Sequence, residues 1–252
     1  MIETFLQPGR TFDQFACGNC NQLAFSSARQ VAEGSITADP LFICGASGLG
    51  KSHLLNAIGH HVLSRNQSTR IIYCSADKFM HSFINCLRAN QVHEFREYFG
   101  TADLLLVDDI QFFASKERSQ QEFLRLYDRI SSRQARIVLT CNRPLSKLSE
   151  FSDELFSRLS GGLVVEISAP DDEAKRVIIE KLAVRHRVPL AGEVVDFMAN
   201  IQTESIRELE GLVIRLGAYS SLQNAAVTLP MAKHYLKSKG CQDRRSHENC
   251  HC

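Results

Sequence analysis

Two stretches of this chain have the residue types and spacing to handle phosphate. Gly45-Ala46-Ser47-Gly48-Leu49-Gly50-Lys51-Ser52 fits the pattern G-x-x-x-x-G-K-[ST], directly behind the apolar run Leu41-Phe42-Ile43-Cys44. Glycines in such a loop let backbone N–H groups converge on phosphate oxygens. The Lys51 ammonium can then reach the β- and γ-phosphates, and the Ser52 hydroxyl can ligate Mg²⁺. Further along, Leu104-Leu105-Leu106-Val107 runs into Asp108-Asp109. Side chains alternate along a strand, so the two carboxylates are expected to point different ways. That assigns Asp108 to Mg²⁺, directly or through water, and Asp109 to the attacking water. Adjacent like charges behind a buried strand repel unless a cation is near, which favours this reading over a pair of solubilising acids. The implied chemistry is that of a P-loop nucleoside triphosphatase.

Two further residues fit such a site on position. Asn142 follows an apolar run at 137–140. An amide there would lie at the C-terminal edge of a parallel sheet, within reach of a γ-phosphate or a water; an ordinary turn asparagine before Arg143-Pro144 is the competing reading. Ser205-Ile206-Arg207-Glu208 is a capping box that places Arg207 in a first helical turn. A cation there opposes the helix dipole at a cost of about 0.3–1 kcal/mol. Facing a phosphate would account for it; by spacing alone, a solvated surface arginine is the other reading.

The elements that must position these groups follow from hydrophobic pattern. The chain has 252 residues, 44% of them hydrophobic and 23% charged, with a net charge of +1. That is the composition of a soluble globular protein with room for two packed units, and it gives no global field for nucleic acid, so such binding must use a local patch. Apolar runs at 41–44, 71–74, 104–107, 137–140 and 163–167 are nearly continuous, as in parallel strands covered on both faces. Between them, Leu54, Leu55, Ile58 and Val62 form one helical stripe, and Phe123, Leu126, Tyr127 and Ile130 another. The expectation is an α/β fold, a doubly wound parallel five-stranded sheet, over residues 21–170 after a lead-in at 1–20. From Asp171 every stretch reads helical, which predicts a small all-helical domain over 171–239. A polar Cys/His-rich tail follows at 240–252. The nine cysteines, mostly scattered in apolar segments, read as reduced cytosolic thiols, and no run approaches a membrane span.

Taken together these residues resemble the AAA+ domain of the DnaA family, the bacterial chromosomal replication initiators and their shorter regulatory relatives. The resemblance runs from Thr11-Phe12-Asp13-Gln14-Phe15 to about Lys239. Its most specific stretches are Gly48-Leu49-Gly50-Lys51-Ser52-His53-Leu54-Leu55, Asp108-Asp109-Ile110-Gln111-Phe112-Phe113-Ala114, Lys116-Glu117-Arg118-Ser119-Gln120 and Arg207-Glu208-Leu209-Glu210-Gly211. It implies ATP or ADP with Mg²⁺ as cofactors, held between the α/β domain and the helical lid, with Leu49 and His53 joining the loop glycines, Lys51 and Ser52 around the nucleotide. It implies sensor 1 at Asn142, where Asp is common in the family, and sensor 2 at Arg207. Arg158 resembles the arginine finger offered to a neighbouring subunit's ATP. Lys116 and Arg118, with Ile84 on a helix pair inserted between about Ala76 and Tyr98, resemble the grip on single-stranded DNA. By pattern alone, Lys116 and Arg118 are a charged helix start.

Departures from the family pattern also carry information. Glu154 stands where many initiators have a second Arg, and Leu159-Ser160-Gly161-Gly162 replaces the usual aromatic pattern after the finger. The helicase-interaction domain, the helix-turn-helix domain and a sliding-clamp motif before Thr11 are all expected to be missing, so sequence-specific duplex binding is not expected of this chain. The leading reading is a slow ATP-dependent switch in replication initiation or its regulation, cytoplasmic, self-assembling and touching single-stranded DNA. The alternatives are an adaptor that docks on a full-length initiator and stimulates hydrolysis there, and a helicase-loader-type ATPase. Cys17-Gly18-Asn19-Cys20 and the tail residues Cys241, His247, Cys250, His251 and Cys252 contain zinc-ligand types, but four must converge to hold the metal, and unstructured thiols are the preferred reading.

Overall fold

The computed structural model describes residues 6–35, 39–203 and 205–237; the Cys/His-rich tail lies outside them. The first compact unit takes in the segment up to Phe15 together with 21–46 and 51–167. Helix α1 (Gln22–Glu33) leads to strand β1 (Leu41–Cys44), helix α2 (Lys51–Arg65) and strand β2 (Ile71–Ser75). The expected inserted helix pair follows as α3 (Ala76–Arg88) and α4 (Val92–Gly100). Strand β3 (Leu104–Asp108), a 3-10 turn at Ile110–Phe113, α5 (Glu117–Ser131), β4 (Arg136–Cys141), α6 (Asp153–Ser160) and β5 (Leu163–Glu166) complete it.

All five strands are parallel, in the order β2-β3-β4-β1-β5. The three central strands explain the continuous apolar runs, since every residue of β1 and β3 is buried and only Arg136 of β4 is not. The edge strands depart from the expectation of full coverage. In β2 burial alternates residue by residue, and in β5 only Val165 is buried while Val164 is 39% exposed. An edge strand has one strand neighbour and thinner helical cover, so its apolar residues do not all reach the core.

Helices cover the faces as their stripes predict. Leu54, Leu55, Ile58 and Val62 of α2 are buried, as are Phe123, Leu126, Tyr127 and Ile130 of α5. The inserted pair is fastened by aromatic rings. Phe79 of α3 lies edge-on to Phe95, Phe99, Phe113 and Phe123, with centroids 5.2, 5.0, 5.5 and 5.8 Å away. One side chain thereby ties α3, α4, the 3-10 turn and α5 together. Such ring pairs contribute about 0.5–1.5 kcal/mol each beyond their burial.

The second compact unit contains 16–20, 47–50 and the chain from Ser168 onward. Its helices are α7 (Asp172–His186), α8 (Gly192–Ala199), α9 (Ile206–Gln223) and α10 (Leu229–Lys237). Helix α7 opens on a cap: the Asp171 carboxylate accepts from the Ala174 N–H at 2.7 Å. Val194, Met198, Leu209, Val213 and Leu216 form the centre of a separate apolar core. Among the described residues, no helix is long and apolar enough to cross a membrane.

Phe79 is fully buried among four rings, so Phe79→Ala should destabilise the first unit by about 3–5 kcal/mol. Leu23→Ala, at a side chain 64% exposed, should cost no more than about 0.5 kcal/mol. Urea unfolding of the two variants measures both, and equal midpoints would refute the assignment of Phe79 as the fastening residue.

Candidate nucleotide site

The chain leaves β1 through Gly45 at φ 144°. A β-carbon there would lie 2.4 Å from the Ile167 carbonyl oxygen, so no larger residue fits this turn. Lys51 opens α2 and is 5% exposed. Its ammonium donates to the carbonyls of Gly45 at 2.7 Å and Ala46 at 2.8 Å, which leaves one of its three N–H groups for a further acceptor. Burial lowers the pKa of this ammonium from its ordinary value, and the nearby Asp109 and Asp108 carboxylates oppose that shift. Ser52 comes next on the helix; its backbone carbonyl accepts from the Asn56 amide at 2.7 Å.

The Asp108 carboxylate ends β3 almost fully buried, and it is held from two sides. Thr140 of β4 donates its hydroxyl to Oδ1 in a close hydrogen bond, and Tyr73 of β2 donates to Oδ2 at 3.2 Å. The ionisation of Tyr73 is pushed well up, first by burial and then by the Asp108 charge, so the phenol remains a donor. Both partners come from strands paired with β3. Sequence pattern alone misses both residues. For Thr140 the signal is a hydroxyl at the end of an apolar run: it is fully buried, and a buried hydroxyl needs a partner.

Asp109 departs from the alternation expected of a strand. It lies beyond β3 in the left-handed region, at φ 59° and ψ 53°, and precedes the 3-10 turn. Its side-chain direction is therefore set by this backbone conformation and not by the strand pleat. The Asp109 N–H donates to the Thr140 hydroxyl oxygen at 2.9 Å, so one threonine holds both acidic residues. Gln111 completes the arrangement. Its amide nitrogen donates to Asp109 Oδ1 at 3.0 Å, and its amide oxygen accepts from the Asn142 N–H at 3.0 Å. Asn142 itself is exposed, just past β4.

The remaining predicted residues take these places. His53 on α2 is turned to the lead-in: its Nε2 meets the Thr11 carbonyl at 2.8 Å, and its ring lies edge-on to Phe15. Gly48, Leu49 and Gly50 fall in the second unit with Arg207. A β-carbon on Gly48 would lie 2.3 Å from Ser205 Oγ and 3.6 Å from Arg207 Cβ, so the loop tip and the start of α9 are neighbours there. The capping box is half direct: Ser205 accepts from the Glu208 N–H, while the Glu208 carboxylate bonds the Thr203 hydroxyl, which in turn accepts from the Ser205 N–H at 3.2 Å.

Arg158 is exposed on α6 and pairs with Asp128 at 2.9 Å. Lys116 and Arg118 are exposed at the start of α5, and Ile84 is 39% exposed on α3. Arg118 lines a groove with Phe83, Leu87, Val92, Arg96 and Arg125. The fully buried amide of Gln120 anchors this region: it donates to the carbonyls of Phe113 at 2.8 Å and Glu150 at 3.0 Å and accepts from the Ser152 N–H at 2.7 Å. Buried thiols are inert here, with burial pushing Cys44 up to about 11 and Cys74 up to about 12. Among the described residues no group of three or more His, Cys, Asp or Glu side chains is arranged to hold a metal ion by itself.

Comparison with known proteins converges on one family. The family model of the bacterial DnaA ATPase domain matches residues 6–166. The chromosomal replication initiator protein DnaA of Geobacter sulfurreducens is 45% identical over 235 residues, covering 93% of this chain and 53% of that protein. The crystal structure of domain III of the Thermotoga maritima replication initiation protein DnaA has a TM-score of 0.90 at 34% identity, covering 93% of this chain and 98% of that one. A replication initiator DnaA bound to AMPPCP and single-stranded DNA has a TM-score of 0.80 at 33% identity, covering 93% and 69%. The chain spans about half the length of the curated relatives it matches, 53% and 52% of the first two. With the phosphate loop, the paired acids and the five-stranded sheet all in place, this chain belongs to the bacterial DnaA family of chromosomal replication initiators and carries its ATPase domain.

Proposed function

We propose that the chain is an ATP-binding AAA+ switch of bacterial replication initiation, cytoplasmic, which hydrolyses ATP slowly to reset itself. One observation carries this reading: Asp108, Asp109 and Asn142, where β3 and β4 end, are joined through Thr140 and Gln111, and the charges of both carboxylates act on the Lys51 ammonium. Lys51 has one N–H to give to a phosphate. Asp109 directs the attacking water, and Asn142 reads the γ-phosphate.

The residues also fit Mg²⁺. Each Asp108 oxygen has one hydrogen-bond donor and keeps a lone pair for a cation or its water, and the Ser52 hydroxyl is the second oxygen. Bound there, the ion would offset charge on the phosphates. Lys51→Ala should lower affinity for ATP and ADP by about 10–100-fold, the worth of a charge-assisted hydrogen bond, with the fold intact by circular dichroism. Asp109→Asn should keep affinity and slow hydrolysis. Calorimetric titration checks the first, and unchanged affinity in the Lys51 variant would sink the site.

Assembly would use Arg158 as a finger on a neighbouring subunit's ATP. Its pairing with Asp128 does not prevent this, because a pair with both side chains 54% exposed costs only about 0–1 kcal/mol to break. Arg158→Ala should leave nucleotide affinity of the dilute protein intact and weaken ATP-dependent assembly or hydrolysis, an effect that reaches about 10³–10⁵ in rate in other P-loop systems. Sedimentation across a concentration series separates the two; an equal defect in the monomer would remove Arg158 from this role.

Single-stranded DNA is the proposed nucleic-acid partner. Lys116 and Arg118 offer charge, and the exposed Ile84 and Leu87 offer apolar contact on the neighbouring α3. Binding should require ATP and weaken with salt, with a log–log slope of about −0.7 per phosphate contact. Replacing Lys116 and Arg118 by Ala should flatten that slope and leave ATP affinity unchanged. Fluorescence anisotropy with ATP and with ADP is the measurement. Binding that ignores the nucleotide would favour an adaptor docked on a full-length initiator.

A further inference from the structure

We infer that Gln111 is a positioning residue for hydrolysis, whose side-chain amide locks the Asp109 carboxylate to the backbone of Asn142. The inference rests on the proposed role of Asp109 and names the group that aims it.

The geometry leaves no ambiguity about which end of the amide faces which partner. A carboxylate oxygen can only accept, and a backbone N–H can only donate. Gln111 must therefore present its nitrogen to Asp109 Oδ1 and its oxygen to the Asn142 N–H, as the two 3.0 Å contacts show. The bridge spans the ends of β3 and β4, which Thr140 already joins through Asp108 and the Asp109 N–H. Thr140 fixes the backbone of Asp109, whereas Gln111 fixes its carboxylate. That second restraint matters because Asp109 lies outside the strand in a left-handed conformation, where no pleat directs its side chain. The turn itself is closed by the Phe112 N–H donating to the Asp109 carbonyl at 3.2 Å, so it does not need the Gln111 side chain to form.

Gln111→Met keeps length and removes both hydrogen bonds. Gln111→Glu keeps the oxygen that accepts from Asn142 and removes the donor to Asp109. Both variants should hydrolyse bound ATP about ten- to a hundredfold more slowly in a single turnover, the cost of a misplaced catalytic group. ATP and ADP affinities and the thermal midpoint should stay those of the parent chain. Asp109→Asn is measured alongside. If that variant hydrolyses at the parent rate, the proposed site itself is wrong. If it is slow while either Gln111 variant retains the parent rate, this inference alone fails. A drop in nucleotide affinity matching the drop in rate, in both variants, would also overturn it, because it would mark Gln111 as a support for the whole site.

Discussion

Everything in the candidate site depends on the lateral pairing of β3, β4 and β1. These three strands, Arg136 apart, are buried on both faces, so their apolar residues hold them side by side in the middle of the sheet. The pairing aligns Val107 with Leu139 and Cys44 with Cys141. The residues that follow those positions are the ones with chemistry: Gly45 after β1, Asp108 and Asp109 at the end of β3, Thr140 and Asn142 at the end of β4. Hydrophobic burial therefore delivers two acids, a hydroxyl and an amide to one sheet edge, although none of those groups is apolar. This separation explains how the loop after each strand is free to carry function while the strands carry stability.

The polar groups at that edge are held without ion pairing. Asp108 is buried between two hydroxyl donors, Tyr73 and Thr140, and Lys51 turns two of its hydrogens to backbone carbonyls. Neutral donors orient a carboxylate without cancelling its charge, so its field stays available to a bound cation.

Much of this was legible in the sequence, and the limits have physical causes. The phosphate loop is readable because a backbone cradle needs glycines at fixed spacing beside a lysine. The three central strands are readable because burial on both faces leaves no polar interruption. The edge strands β2 and β5 carry similar apolar runs yet are half covered, since composition does not encode position in the sheet. The left-handed turn at Asp109 is not legible, because an acid after a strand reads as one more strand residue. Tyr73, Thr140 and Gln111 were missed for another reason: their partners are 35, 32 and 31 residues away for the bonds to Asp108, Asp108 and Asn142, and only the sheet pairing brings them together.

Gln120 has a mechanical consequence. One buried amide grips the turn ahead of α5 through Phe113 and the residues leading into α6 through Glu150 and Ser152. The basic start of α5 and the root of the helix that carries Arg158 thus share this mooring, beside the Ser115 N–H that donates to the Glu150 carbonyl at 3.3 Å and the Arg158–Asp128 pair. The bonds that link the start of α5 to the root of α6 do not involve the phosphate loop. Two outward-facing basic surfaces on different helices are thereby braced against each other from the inside, by an amide that neither surface exposes.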